Sequence, residues 1–243
     1  MYEEAQLYSP VSTDDTGGVT VHLAHDHPGA NDPAYRQVAM PTDHVPGLDE
    51  VSALITPLTG WSYLPAAGLV PLEFFYGSLA DRRFHSTQYV RHPKVPLYTP
   101  EPDIIHEVLG HGHLLATPPF GELHRLAGVA ARRLQDPENL TFLSRVFWFS
   151  LEFGTVVEDG ELRAYGAGIL SSYGEIEEFR TIEHRPLDVI EMGSAEYDIT
   201  QYQPVLYRAK SIAEVVDVVG GFFAACDDDS IAGMRARAGL VLR

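Results

Sequence analysis

The sequence predicts one mainly α-helical domain carrying a few short strands. Apolar residues recur at helical spacing in windows spread from residue 48 to residue 226, whereas the one clear strand signal is the turn-centred stretch EDGELRAYG (158–166). A chain of 243 residues with 45% hydrophobic content is long enough for one sizeable core and near the upper size that one core supports. No internal repeat and no clear linker divides it.

Taken in order, residues 1–47 hold SPVSTDDTGG, HDHPGANDP and PTDHVPG, clusters of turn-forming residues that predict an irregular arm. The folded domain is expected over 48–226. Its first helix presents Leu48, Val51, Leu54 and Ile55 on one face and is expected to end at Pro57, because proline lacks the donor and clashes with the preceding turn. Helical windows follow at 72–84 and 101–116, then at 120–134 and 141–154 on either side of the polar stretch QDPEN. Residues 158–166 read as a turn and a short strand. Ser211 and Glu214 have capping-box spacing, opening a last helix whose buried stripe is Ile212, Val215, Val216, Val219 and Phe223. The tail, 227–243, begins DDDSIAGMRARAG and is expected to be solvated and frayed.

Charge narrows the function classes. Seventeen Lys and Arg face 34 Asp and Glu, a net −17, which disfavours partners held through phosphate, so neither nucleic acid nor an anionic membrane surface is expected. The opening MYEEAQLYSP has no signal-peptide pattern and no apolar run nears the roughly 18 residues of a membrane span, so a soluble, cytoplasmic protein is expected, monomeric with a dimer as the alternative. Cys226 is the sole cysteine; any metal must therefore be held by His, Asp or Glu, and the 11 histidines become the residues to sort.

Three of them crowd into PDIIHEVLGHGHLL (102–115). On an ideal α-helix His111 lies about 140° round from His106, so a shared metal requires the helix to unwind or bulge between them, and Gly110 sits where that could happen. His113, seven residues after His106, shares its face and is the competing partner. A zinc hydrolase with Glu107 as base is one reading of the run, although the histidine spacing is one residue too long for it. A metal-stabilised binding protein without catalysis is another.

The longer segment YTPEPDIIHEVLGHGHLLATPPF (98–120) resembles the iron-binding helix of the pterin-dependent aromatic amino acid hydroxylases. Further matches occur in the family's order: LTGWSYLPAAGL (58–69), FHSTQYVRH (84–92), FWFSLEFG (147–154), AYGAGILSSYGE (164–175) and YDITQYQPVLYRA (197–209). The resemblance covers roughly residues 48–226 and is similar to bacterial phenylalanine hydroxylases, with a weaker match in HDHPGANDPAYR. It implies the catalytic-domain fold of that family, reduced by a dozen-residue stretch between Arg36 and Leu48 where relatives carry several helices. It also implies Fe(II) held by His106, His111 and Glu152, a tetrahydropterin cofactor, O2, and hydroxylation of an amino acid ring. Two imidazoles and a carboxylate leave open positions on such a metal. In an otherwise apolar window a bare Glu152 would be costly.

The resemblance assigns further roles. Arg91 would bind the substrate carboxylate, Asp103 would orient it, and Thr99, Tyr98 and Pro102 would lie nearby. Trp148 would line the substrate pocket, with His85 and Ser171 beside the substrate and the iron ligands. The pterin would meet Gly68, Leu69, Val70 and Leu72, stack on Phe75, and be contacted by Glu107 and Phe147. Two departures from the family stand out: Val70, Pro71 and Leu72 replace small polar residues, and Phe147 replaces tyrosine. Trp148 and Ile199 favour phenylalanine over tryptophan and tyrosine as substrate, with tyrosine as product. Hydroxylation at C3 of the ring, or of tryptophan, is the alternative within the family.

Overall fold

The computed structural model describes residues 11–13, 19–21, 39–41, 44–92, 101–199 and 201–241. Strands β1 (Val11–Thr13), β2 (Val19–Val21) and β3 (Ala39–Met40) form a small antiparallel sheet. The amino-terminal arm therefore contains regular structure where turn chemistry alone predicted none.

Helix α1 (Leu48–Thr59) runs through Pro57 and stops two residues later. Proline in the last turn forfeits one intrahelical bond, while the stop itself comes from Gly60, whose φ of 80° lets its N–H donate back to the Thr56 carbonyl. Strand β4 (Ser62–Pro65) follows, then α2 (Leu72–Leu79) and β5 (Arg83–Ser86), which pairs in parallel with β4. The helix expected over 72–84 is thus cut short, and its end becomes a strand alternating Phe84 and Ser86 inward with His85 outward.

A π-helical turn, π1 (His106–His111), continues into α3 (Gly112–Ala116). Helix α4 (Pro118–Ala131) packs against α2, and α5 (Pro137–Phe147) flows into a second π-helical turn, π2 (Trp148–Glu152). The predicted strand is a hairpin: β6 (Gly154–Glu158) turns through Asp159 and Gly160, both at positive φ, into β7 (Glu161–Ala164). Short helices α6 (Ala167–Leu170) and α7 (Tyr173–Glu178) lead to β8 (Glu183–Pro186), α8 (Val189–Ser194) and β9 (Val205–Ala209). The four-stranded sheet runs β7-β6-β9-β8, with β9 parallel to both its neighbours.

Ser211 caps α9 (Ile212–Val215) by accepting the Glu214 N–H, as the capping box predicts. A third π-helical turn, π3 (Val216–Gly220), precedes α10 (Gly221–Ala225). The inserted residue breaks the expected stripe: Val215, Val219 and Phe223 are buried, but Val216 is turned outward. The tail is not frayed. It forms α11 (Asp228–Val241), whose Ile231 is buried in the core; Asp228 accepts the Gln135 N–H and the Asn139 side-chain amide, and Arg235 pairs with Glu138. These hydrogen bonds, with Ile231, Met234 and Ala238 as apolar anchors, hold a segment whose own sequence carries almost no apolar stripe.

One apolar core joins α1, α2, α4, α5 and the last helices, with Trp61, Phe84, Phe120, Phe142, Phe147 and Phe223 fully buried in it. Each such ring contributes about 1.5–3 kcal/mol on leaving water. Among the described residues no helix is long and apolar enough to cross a membrane.

Candidate metal centre and substrate cavity

The five-residue spacing of His106 and His111 is resolved by π1. A π-turn closes i→i+5 hydrogen bonds, and here Gly112 N–H donates to the Glu107 carbonyl. Residues five apart then lie one above the other: the two imidazole centroids are 4.8 Å apart. Tyr63 also donates its hydroxyl to the Glu107 carbonyl, at 2.7 Å, anchoring the widened turn. The bulge expected near Gly110 is present. Gly110 has a second task, since a Cβ there would come 2.7 Å from the Ala167 carbonyl, so its bareness lets α6 approach the histidines.

Glu152 arrives from the other side at the end of π2, where Phe153 N–H donates to the Trp148 carbonyl five residues back. His106, His111 and Glu152 offer ligand atoms all within 4.8 Å of one another. Glu152 Oε1 lies 2.9 Å from His111 Nε2, and Oε2 lies 3.7 Å from His106 Nε2. That Oε2 is buried without a hydrogen-bond partner. Burial pulls His106 down to about 4 and His111 to about 3, and burial pushes the Glu152 carboxyl up. Two imidazoles kept neutral and a carboxylate short of a cation are the form in which these groups bind a divalent metal. The donor set fits Fe(II), on which two imidazoles and a carboxylate would leave positions open, and two of the three groups line a cavity.

Ser171 sets the tautomer of His106. Its hydroxyl donates to the Ala167 carbonyl at 2.8 Å and so accepts from His106 Nδ1–H, also at 2.8 Å, leaving the Nε2 lone pair for the metal. His113 lies outside the cluster; it is buried, with Nε2 unpaired, and burial holds it down at about 4.

His106 and Glu152 line a cavity of about 270 Å³ together with Leu69, Arg91, Pro102, Trp148, Phe153 and Ser171. Asp103 is fully buried and grips Arg91 from two sides, accepting Nε–H at 2.8 Å and Nη2–H at 2.7 Å, and it also accepts the His106 N–H at 3.1 Å. Burial alone would raise the Asp103 carboxyl, but the Arg91 contacts outweigh it and the group ends below its ordinary value. The fork leaves Arg91 Nη1 available to an anion in the cavity. Trp148 is fixed by a stack on Tyr197, centroids 4.2 Å apart and 9° from parallel, and by Nε1–H donating to Gln203 Oε1. Glu175 also lines the cavity, its carboxyl pushed by burial up to about 7.

The remaining expected residues are placed less centrally. His85 lies on the outward face of β5, its Nδ1 3.1 Å from Ser78 Oγ, and lines a separate cavity with Phe74, Arg132 and Gln135. Glu107 is buried, accepts the Thr87 N–H and is not among the lining of the Arg91 cavity. Of the pterin segment, Leu69 lines that cavity, Gly68 lies beside the Glu101 carboxylate, Val70 is half-buried and Leu72 is exposed. Phe75 is half-buried, edge-on to Tyr76 and Phe84, while Phe147 is buried between Tyr76 and His124. Tyr98 and Thr99 lie outside the described residues.

Two side chains at the centre gave no sequence signal that singled them out. Tyr76 packs on Phe147 and its hydroxyl, pushed up by burial, also feels Tyr197 and Glu152. His124 sits on the apolar face of α4 beside Phe120, Leu123 and Ala127, a spacing that marks it as inward-facing and nothing more.

Comparison with known proteins agrees with this geometry. Residues 37–229 match the family described as biopterin-dependent aromatic amino acid hydroxylase. The chain is 51% identical over 198 residues to the phenylalanine 3-hydroxylase of Streptomyces coeruleorubidus, covering 82% of this chain and 71% of that one. It is 43% identical over 182 residues to the phenylalanine-4-hydroxylase of Dictyostelium discoideum, covering 74% of this chain but only 41% of that longer protein. The structure of Chromobacterium violaceum phenylalanine hydroxylase with bound iron(III) and 7,8-dihydrobiopterin superposes with a TM-score of 0.72 at 27% identity, covering 78% of this chain and 70% of that one. By this family match and the identity to its members, the chain belongs to the biopterin-dependent aromatic amino acid hydroxylases, and its two-histidine, one-carboxylate cluster lies within the matched residues.

Proposed function

We propose that this chain is a monooxygenase that uses Fe(II), a tetrahydropterin and O2 to hydroxylate the ring of L-phenylalanine, giving tyrosine. The observation that carries the reading is the convergence of His106, His111 and Glu152 beside a cavity that also holds Arg91 and Trp148. Iron bound by the three, with a reduced pterin nearby, supplies the activation of O2 that ring hydroxylation requires. The chain's own residues do the rest. Arg91, aimed by Asp103, takes the substrate carboxylate; Glu175 offers the anion an α-ammonium group needs; and Trp148, immobilised by Tyr197 and Gln203, gives the substrate ring a fixed wall. Ser171 keeps the His106 proton on Nδ1. The pterin assignment rests on family membership and on Leu69 reaching the same cavity.

The test is an anaerobically Fe(II)-loaded enzyme given tetrahydropterin and O2 with phenylalanine, tyrosine or tryptophan, the product identified by NMR. Iron binding without pterin-dependent hydroxylation of any of the three would sink the reading. A second reading, insertion of oxygen at C3, is favoured by the 51% identity to a phenylalanine 3-hydroxylase against 43% to a 4-hydroxylase. Displacements of an ångström decide between ring positions. The same spectrum separates them, as meta-tyrosine or para-tyrosine.

A further inference from the structure

Two buried imidazoles in the heart of the structure carry complementary unpaired nitrogens. When His111 holds a metal through Nε2, its proton resides on Nδ1, and that nitrogen is buried with no hydrogen-bond partner. Metal-bound histidines almost always donate the second N–H to a carboxylate, a carbonyl or water, and an unmade bond of this kind is costly. His124 is in the opposite condition. Its Nδ1 lies 2.8 Å from the Phe120 carbonyl, which can only accept, so Nδ1 carries the proton and Nε2 is a bare acceptor, also buried and unpaired.

The two rings are neighbours. Their centroids are 5.7 Å apart with planes 87° from parallel, and no hydrogen bond joins them in the structure. Three aromatic rings also surround His124, Trp61, Phe84 and Phe147 standing 6.1, 6.3 and 5.3 Å from it by ring centroid, and the Glu152 carboxylate acts on it electrostatically. The Trp61 Nε1–H is already committed to the Gly121 carbonyl. Phe84 also covers the face of His111 at 4.5 Å. A donor that needs an acceptor and an acceptor that needs a donor are therefore enclosed together behind the metal site.

We propose that His124 is a positioning residue for the metal centre, accepting a hydrogen bond on Nε2 from Nδ1–H of His111 and thereby fixing the tautomer and ring orientation of that ligand. The chain Phe120 carbonyl, His124, His111 then ties the metal to the backbone of α4, as Ser171 and the Ala167 carbonyl tie His106 to α6. The inference rests on the reading of His111 as a ligand and deepens it.

The test uses the intact 243-residue chain loaded with Zn(II) for NMR and with Co(II) for affinity. In ¹⁵N-labelled Zn(II) protein, His111 Nδ1 should carry a slowly exchanging proton and show scalar coupling across the hydrogen bond to His124 Nε2. Removing a partner behind a ligand weakens metal binding about 10- to 100-fold, so His124→Phe should lose Co(II) affinity by that factor, while His124→Gln, which keeps an acceptor, should recover most of it. Melting temperatures without metal report whether each variant folds. Unchanged Co(II) affinity in a folded His124→Phe, or a His111 proton that couples elsewhere, would overturn the inference. His111→Ala is the control: if it keeps Co(II), the ligand reading itself fails; if it loses Co(II) while His124→Phe does not, only the role of His124 falls. Should neither His124 variant fold, the coupling in the unaltered protein decides.

Discussion

The two halves of the site are built to different standards. On the metal side every ligand sits on a π-helical turn, π1 is tied by Tyr63 and by the close approach of Ala167 to Gly110, and the carboxylate is buried with an atom to spare. On the side expected to meet the pterin, Leu69, Leu72 and Phe74 are exposed, and Phe75 is the one half-buried ring among the expected contacts. The contrast is physical. Metal ligands must be held within fractions of an ångström by groups that are themselves held, whereas a flat cofactor needs a face and a few backbone donors.

The largest effects should therefore come from the metal side. His106→Ala, His111→Ala and Glu152→Ala should each abolish iron binding, read by metal content, and with it activity. His113→Ala should keep iron and lose only stability. Iron lost with His113 and retained without His111 would reverse the assignment.

Arg91→Ala should come next. A charge-assisted carboxylate contact is worth about 1.5–3 kcal/mol, so the amino acid KM should rise about 10- to 150-fold with iron content unchanged. An unaltered KM removes Arg91 from the substrate site.

The pH dependence of stability tests the burial of the metal side. In metal-free protein His106, His111, His113 and His124 are held at about 4, 3, 4 and 3, below the ordinary 6.5 of the unfolded chain. As pH falls from 6.5 toward 4 the unfolded chain takes up protons that the folded one refuses, so stability drops, by up to about 1.4 kcal/mol per pH unit for each histidine. Three buried carboxyls have the opposite sign: Glu175, pushed up to about 7, and Glu107 and Glu152, also pushed up by burial, favour the folded form where they are protonated, and that gain is lost as pH rises through their folded values. Melting temperature against pH should show the acid loss, and Glu175→Gln should remove its share of the second effect. His113→Phe should make the acid loss shallower, and an unchanged acid slope in that variant would contradict the burial of the ring.

The smallest effects belong to the pterin side. Phe75→Ala should weaken pterin binding about two- to tenfold, the roughly 0.5–1.5 kcal/mol of an aromatic contact, without removing iron. Phe147→Tyr should alter the pterin consumed per product more than it alters pterin KM, because the ring lies in the core beside His124 and Tyr76 and not on the cavity wall. If neither changes either quantity, a reductant other than pterin must be sought.

Much of this was legible in the sequence. Helical periodicity located most of the helices, and the spacing of His106 and His111 demanded a distortion near Gly110 that the structure supplies. Charge, a lone cysteine and the order of motifs then confined the chemistry to a His and carboxylate metal site. Local pattern could not foresee what distant segments impose. The inserted residue of π3 rotates Val216 outward, the alternation of β5 sends His85 to a different cavity, and Asp228 and Arg235 hold a polar tail as α11. Nor could it mark His124, since a histidine on an apolar helix face looks the same whether its second nitrogen meets hydrocarbon or another imidazole. Spacing along one chain fixes which residues share a face; which atoms meet across elements depends on packing between segments that the sequence does not place side by side.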